Sequence, residues 1–346
     1  MFKISYKTYT LNLKHVFRIS RGSRSSTPIL LTAIEFDGET GYGEASMPPL
    51  YGESQESAID FISKVDLSGF NNPADIDEMM QYVDGIEVGN TATKAAIDIA
   101  LHDLAGKLAE KPCYQLLGLP GVEHIATSKT IGLDKPGIIR SRTKDASEYQ
   151  FLKIKMGSTT DLEVMEAVRS VTNVPLYVDA NQGWNDRTQA LENIHWLKEE
   201  GVVFVEQPMP VAELEDMAWL KDHSPLPIVG DESIQRLVDV EHAENFFHGI
   251  NIKLVKSTGL NEGLKMAQLA KKKGLKVMLG CMSETSCLIS AAFHLASLAD
   301  WIDLDGNIDV TNNPYHGIET IAGKLINNNI AGIGLIDPES AWSKLS

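Results

Sequence analysis

From residue 125 to 305 the chain repeats one hydropathy pattern without repeating its letters. Short apolar runs close on a charged or small residue and recur about every 25 residues: Ala126–Ile131, Phe151–Met156, Val174–Asp179, Val202–Glu206, Leu226–Asp231, Ile250–Leu254, Lys276–Gly280 and Trp301–Asp305. Between them, segments such as Leu162–Val171, Thr188–Glu200, Leu260–Lys273 and Thr285–Ala299 place apolar residues at i, i+3 and i+4, the spacing of a helix with one buried face. Strands alternating with helices of this length predict βαβ units and a parallel sheet. Eight such strands suggest a closed barrel of the (β/α)₈ type. A doubly wound open sheet is the alternative on pattern alone.

Residues 1–120 break this rhythm. Strands at Phe2–Asn12, Pro28–Phe36 and Gly41–Ala45 precede helices at Ser54–Val65, Ile76–Val83 and Thr91–Ala109, which reads as a separate α+β domain. After Asp305, strands are expected near Ile318 and near Ile330. That tail has too little apolar content to stand alone, so it is expected to pack back on the N-terminal domain. The expected division is an α+β unit of residues 1–120, completed by the tail (about 310–346), and a barrel of residues 121–309.

Charge narrows the function. The 346 residues include 31 Lys and Arg against 47 Asp and Glu, a net charge of −16 with no basic tract. Such a chain is a poor partner for nucleic acid or anionic membranes. No run approaches the 18 or so apolar residues of a membrane span. The opening MFKISYKTYTLNLKHVF has polar residues every second or third position, as a strand does and a signal peptide does not. Cys113, Cys281 and Cys287 are few, odd in number and without CxxC spacing, which argues against a disulfide framework or a thiolate zinc site and fits a reducing cytoplasm. Gly41-Tyr42-Gly43 and Gly332-Ile333-Gly334 read as turns, and His102 as a packed or capping residue of an apolar helix.

Barrel enzymes place their chemistry at the C-terminal ends of the strands. Read in order, those ends carry Thr130, then Lys153 and Lys155, Asp179, Glu206, Asp231, Lys253, and finally Asp303 and Asp305. Asp179, Glu206 and Asp231 stand on three successive strands at one level. Their mutual repulsion calls for a cation, and an all-oxygen set favours Mg²⁺ over Zn²⁺. Strands 2 and 6 of an eight-stranded barrel are diametrically opposed, so Lys155 and Lys253 face each other across the mouth. Lys153 shares the inward face with Lys155. Crowding among ammonium groups and a divalent ion is expected to lower the lysine pKa values into the range of a base. Two bases on opposite sides of one carbon suit racemisation or epimerisation. Asp303 and Asp305 share a face opposite the metal, where they would bind an ammonium and repel an acid or an N-acyl group.

KIK, VDAN, VEQP, GDES and NIKL, in this order and spacing, resemble the muconate lactonising subgroup of the enolase superfamily. The resemblance covers nearly the whole chain. It implies a (β/α)₇β modified TIM barrel under an N-terminal α+β capping domain, one Mg²⁺ per subunit and an enediolate intermediate. It also implies Lys155 and Lys253 as the two acid/base residues, with Lys153 stabilising the enolate. WIDLDG resembles the Asp-x-Asp motif of dipeptide epimerases, where it holds the substrate's free α-amino group. The dipeptide's carboxylate would then chelate Mg²⁺, with its Cα between the two lysines. Thr130 is expected to touch the substrate carboxylate, and Cys281 or Ser283 of the loop GCMSE the peptide unit. A structural hydroxyl is an equal reading for Thr130, as packing is for Cys281.

The expected activity is Mg²⁺-dependent epimerisation at the C-terminal residue of Ala-containing dipeptides, of the Ala-Ala, Ala-Glu or Ala-Val type. Two alternatives share the superfamily, an N-acylamino acid racemase and an o-succinylbenzoate synthase. A third is a metal-binding barrel without catalysis. Side-chain choice is expected from the capping loops Ser20–Thr27 and Leu50–Glu53. Among Arg18, Arg21 and Arg24, Arg24 is the closest match to the arginine that reads glutamate in relatives acting on Ala-Glu. The expected partner is a small-molecule dipeptide, with neither nucleic acid nor membrane; a homo-oligomer is left open.

Overall fold

A computed structural model describes residues 1–345, the side chain of Leu50 excepted. The first sheet is antiparallel, in the order β1 (Lys3–Ile19), β2 (Gly22–Phe36) and β3 (Glu39–Ser46). Helices α1 (Gln55–Ile62), α2 (Ile76–Ile86) and α3 (Thr91–Leu108) follow, then the short α4 (Cys113–Leu116). Helix α3 is buried along almost its whole length. It lies so close to β3 that a Cβ on Gly41 or Gly43 would strike the carbonyls of Ala100 or Ala96. These glycines are therefore strand residues chosen for close backbone approach, as the strand expected at Gly41–Ala45 requires and against their reading as a turn. Gly332 and Gly334 do adopt positive φ, at 73° and 84°.

After β4 (His124–Ala126), eight parallel strands run in sequence order: β5 (Ser128–Ile131), β6 (Phe151–Lys155), β7 (Leu176–Asp179), β8 (Val202–Glu206), β9 (Ile228–Gly230), β10 (Gly249–Ile252), β11 (Lys276–Gly280) and β12 (Trp301–Asp303). Helices α5 (Pro136–Asp145), α6 (Asp161–Arg169), α7 (Arg187–Glu199), α8 (Leu214–His223), α9 (Leu237–Val240), α10 (Leu260–Lys272) and α11 (Ser286–Phe293) alternate with them. Hydrogen bonds from Ser128 to Asp303 and from the Leu304 amide to Thr127 tie the last strand to the first. The result is a closed (β/α)₇β barrel. The strand expected near Ile330 is absent from the described residues. Instead β13 (Glu319–Ile321) and β14 (Lys324–Ile326) form a hairpin that pairs with β4. Beyond it, α12 (Pro338–Lys344) and Leu345 reach the first sheet, where Lys7 Nζ donates to the carbonyls of Trp342 and Leu345.

The segment Ser20–Thr27 is not a loop. β1 and β2 continue through it as a two-stranded ribbon that turns at Ser20-Arg21 and pairs Phe17 with Arg24. The register shifts between Asn12 and Phe17, and the extra residues Leu13, His15 and Val16 hang over the barrel mouth. Ser20 Oγ donates to the carbonyls of Ala180 and Asn181, and the Leu133 amide to that of Arg18, so the ribbon is fastened to the barrel rim.

Candidate active site

Alternate residues of a barrel strand point to the axis. Near the N-terminal ends those positions hold Phe151, Tyr177, Phe204 and Trp301, whose rings pack in series with centroids 5.2, 4.5 and 4.6 Å apart. Val229 and Met278 complete this apolar floor. Two residues further along, the same face presents Lys153, Asp179, Glu206, Asp231 and Asp303, and two further still Lys155 and Asp305. Packing below thus fixes the direction of every polar group above.

Asp179, Glu206 and Asp231 are at most 1% exposed, and one oxygen from each lies within 4.8 Å of the others. Each carboxylate is held from behind by one oxygen: Asp179 Oδ1 by the Asn181 amide (2.9 Å), Glu206 Oε1 by Asn251 Nδ2 (2.8 Å), Asp231 Oδ1 by Lys256 Nζ (2.6 Å). The second oxygens meet ammonium groups. Asp179 Oδ2 lies 2.6 Å from Lys155 Nζ, Asp231 Oδ2 2.7 Å from Lys253 Nζ, and Glu206 Oε2 2.7 Å from Lys153 Nζ. That last pair is out of line for a hydrogen bond, so Glu206 Oε2 is a buried acceptor without a donor. Burial and the neighbouring Asp179 push the Glu206 carboxyl up to about 8. Burial acts the same way on Asp179 and Asp231, but Lys155 and Lys153 outweigh it at the first, Lys253 and Lys256 at the second, and both stay below the usual carboxylate range. A buried all-oxygen triad with an orphaned acceptor fits a hard divalent cation.

Lys155 closes β6, and Lys253 immediately follows β10 four strands away, so the two stand on opposite sides of the barrel. Burial disfavours the Lys253 ammonium, yet Asp231 holds its pKa well above the usual value. Among the chain's own groups, carboxylates outnumber ammonium groups around it; the lowering expected beside a divalent ion is a separate matter of the bound cation. Lys153 Nζ sits among Glu206, Asp179 (3.4 Å) and Asp303 Oδ2 (2.8 Å).

Asp303 also accepts from Ser128 Oγ (2.6 Å), and Asp305 from the Thr130 amide (2.7 Å) and hydroxyl (3.2 Å). Thr130 therefore stands at the aspartate pair and binds it from both backbone and side chain. Burial and Asp303 raise the Asp305 carboxyl in spite of Lys129, whose Nζ is 3.4 Å away. Cys281 Sγ donates to the Asp303 carbonyl (3.1 Å), and burial pushes its thiol up, which fits packing. Arg24 lies over the Phe17 ring at 5.0 Å and gives Nη2 to Ser283 Oγ (3.1 Å), while its buried Nε has no acceptor. One cavity is lined by Arg24, Lys155, Lys253, Asp303, Asp305 and Ser283, among others. Arg18 pairs with Asp134 instead. From the second capping segment Tyr51 enters the cavity, whereas Glu53 turns away to accept from Thr91 and Ala92 at the start of α3.

Sequence reasoning missed Asn251 and Lys256, and named the segment that carries Tyr51 without naming the residue. The first lies two residues before Lys253 and therefore on its inward face, a signal that was legible; Lys256 follows the strand, where period-two counting ends.

Residues 139–313 match the enolase C-terminal domain-like family and residues 3–118 the N-terminal domain of the mandelate racemase / muconate lactonizing enzyme family. The chain belongs to the enolase superfamily. An L-Ala-D/L-Glu epimerase of Bacteroides thetaiotaomicron is 48% identical over 335 residues, covering 96% of this chain and 88% of the relative. The fold also superimposes on enolase-superfamily crystal structures. The dipeptide epimerase of Enterococcus faecalis, complexed with Mg and L-Leu-L-Tyr, has a TM-score of 0.91 and 30% identity, with 96% of this chain and 98% of that one covered. The N-succinyl Arg/Lys racemase of Bacillus cereus has a TM-score of 0.92 and 28% identity, covering 99% and 97%.

Proposed function

We propose that this protein is a Mg²⁺-dependent dipeptide epimerase that inverts the Cα of the C-terminal residue, with L-Ala-L-Glu and its epimer as preferred substrates. The observation that carries this reading is the meeting, in one cavity, of two lysines from opposite strands with the buried Asp303–Asp305 pair. An N-succinyl racemase shares the backbone as closely as a dipeptide epimerase does, so side chains must decide. An N-acyl group brings no positive charge to two buried carboxylates. A free α-ammonium does, and carboxylates already bonded on one side retain lone pairs for it. A barrel that only bound metal would have no use for opposed lysines.

Asp179, Glu206 and Asp231 would hold the cation. Bound there, Mg²⁺ supplies positive charge against the substrate carboxylate as Cα loses its proton, and draws carboxylate charge away from the lysines. Lys155, as the free amine, takes the Cα proton from one face, and Lys253, as the ammonium, gives one to the other. The reverse reaction exchanges their roles. Lys153, fixed between Glu206 and Asp303, presents charge to the substrate end nearest the triad. Arg24 supports glutamate as the epimerised residue, since its buried Nε lacks an acceptor and a side-chain carboxylate supplies one. Residues 1–120 with the 310–346 tail would then form the specificity cap, and 121–309 the catalytic barrel. The setting we infer is cytoplasmic peptide metabolism, which three unpaired cysteines support.

The test is deuterium uptake at Cα of L-Ala-L-Glu in D₂O, with product configuration read by chiral chromatography. Exchange with inversion that stops on chelation and returns with Mg²⁺ is expected. No exchange with any free dipeptide, or turnover of N-acyl amino acids instead, overturns the reading.

A further inference from the structure

The strand that delivers Lys253 also delivers the groups behind two of the three triad carboxylates. Asn251 Nδ2 holds Glu206 Oε1, and Lys256 Nζ holds Asp231 Oδ1. Lys256 is unlike the other holding groups, because it brings a full charge to a site almost closed to solvent. It is 2% exposed. Its Nζ has four oxygens around it: Asp231 Oδ1 (2.6 Å), Asp231 O (2.7 Å), Ile234 O (2.9 Å) and Asn251 O (3.1 Å). An ammonium has three N–H groups. Four oxygens at such distances form a small cation cage, filled by a cation that is covalently tethered.

The tether matters as much as the cage. The Lys256 and Ser257 amides both donate to the Lys253 carbonyl, and the Gly259 amide to Leu254. Lys253 and Lys256 are therefore neighbours in one closed turn, and they grip the two oxygens of the same carboxylate. With Oδ1 taken by Lys256, Asp231 cannot rotate about its Cβ–Cγ bond, and Oδ2 is turned to the cavity.

We propose that Lys256 is the positioning residue of the cation site, fixing Asp231 so that Oδ2 faces the cavity where the metal would bind. This rests on the reading of the triad as a Mg²⁺ site given above. Lys256 does not line the cavity, and its effect passes through Asp231. Groups behind a metal ligand set affinity by holding it in the binding orientation, and their loss commonly weakens binding about 10–100-fold.

The experiment titrates chelator-treated protein with Mg²⁺ by calorimetry, comparing wild type with K256M and K256Q. K265M, which alters an exposed lysine on α10, is the control. The expected result is a Kd for Mg²⁺ weakened about 10–100-fold in the Lys256 variants and unchanged in the control. Alongside, the Mg²⁺ concentration for half-maximal turnover should rise in the same proportion while kcat at saturating Mg²⁺ falls far less. A folded variant with wild-type Kd overturns the proposal. So does failure of both variants to fold, which makes Lys256 a purely structural cation. Calorimetry needs no substrate, so a wrong dipeptide assignment shows as absent turnover in wild type and leaves the metal comparison intact.

Discussion

Replacing Lys155 by alanine removes one of two amines that stand on opposite sides of the same cavity. Epimerisation needs both, one to take a proton and one to return it. K155A and K253A should each lose at least about 100-fold in turnover in both directions, within the range for a lost general acid/base. Each should still exchange the Cα proton of the one epimer that faces its surviving lysine, read by mass spectrometry in D₂O. At the other end of the cavity, Asp303 and Asp305 make a separate demand. N-acetylation of the dipeptide removes the ammonium and leaves buried carboxylates without it, at a cost of about 1–3 kcal/mol. That corresponds to a fall in kcat/KM of about 5- to 150-fold, measured on the matched pair of substrates. Lys155, Asp303 and Asp305 were visible in the sequence because each sits two or four positions beyond an apolar inward-facing residue, and Lys253 because it closes the apolar run of its strand. Lys256 was not, because its direction comes from a turn and its partners include three carbonyl oxygens, which no side-chain pattern records.

Elements were legible where burial shapes the sequence. The barrel strands lie within about two residues of the short apolar runs that mark them, since both of their faces are buried. The ribbon beyond Asn12 was not legible as strand. Its residues are exposed or half-exposed on both faces, so pairing to its own partner strand, and not burial, holds it extended. That change matters for Arg24, which is carried on a paired strand against Phe17. R24A should therefore leave the ribbon in place and act on specificity, lowering kcat/KM for L-Ala-L-Glu at least about tenfold more than for L-Ala-L-Ala, as loss of a charged hydrogen bond of about 1.5–3 kcal/mol requires. Equal losses would show that Arg24 does not read the side chain. The seat of β3 on α3 gives a stability test free of the active site. G43A forces a methyl group into the Ala96 carbonyl, and backbone cannot yield as a side chain does. A loss of about 3 kcal/mol is expected in urea unfolding, against less than about 0.5 kcal/mol for G69A, where the added methyl meets open space.

At the scale of the whole molecule, the joint between first sheet and barrel is built on buried carboxyl groups. Glu44 on β3 crosses to the loop after β11 and accepts from the Thr285 amide (2.9 Å), the Thr285 hydroxyl and the Leu288 amide. Glu284, also buried, accepts from the Met282 amide (2.8 Å). Burial pushes Glu44 up to about 7, against its hydrogen bonds to Thr285 and Leu288. Burial and the charge of Glu44 push Glu284 up to about 8. Both values exceed the ordinary 4.5, so between pH 4.5 and 8 the folded chain binds more protons than the unfolded one. Stability from this pair is then complete below pH 4.5 and is lost as pH rises through 7 and 8. His294, packed against Tyr114 and lowered to about 4 by burial, works in the opposite sense, losing stability as pH falls from 6.5 towards 4. A single melting curve against pH would mix the two, so the informative quantity is a difference. E284Q retains an acceptor for the Met282 amide and removes the titration. Its melting temperature should match wild type or fall slightly below it at pH 5, then gain on wild type by a few degrees as pH rises to 9. A difference that stays flat from pH 5 to 9 would mean that Glu284 is ionised in the folded protein throughout, and that the joint tolerates its buried negative charge.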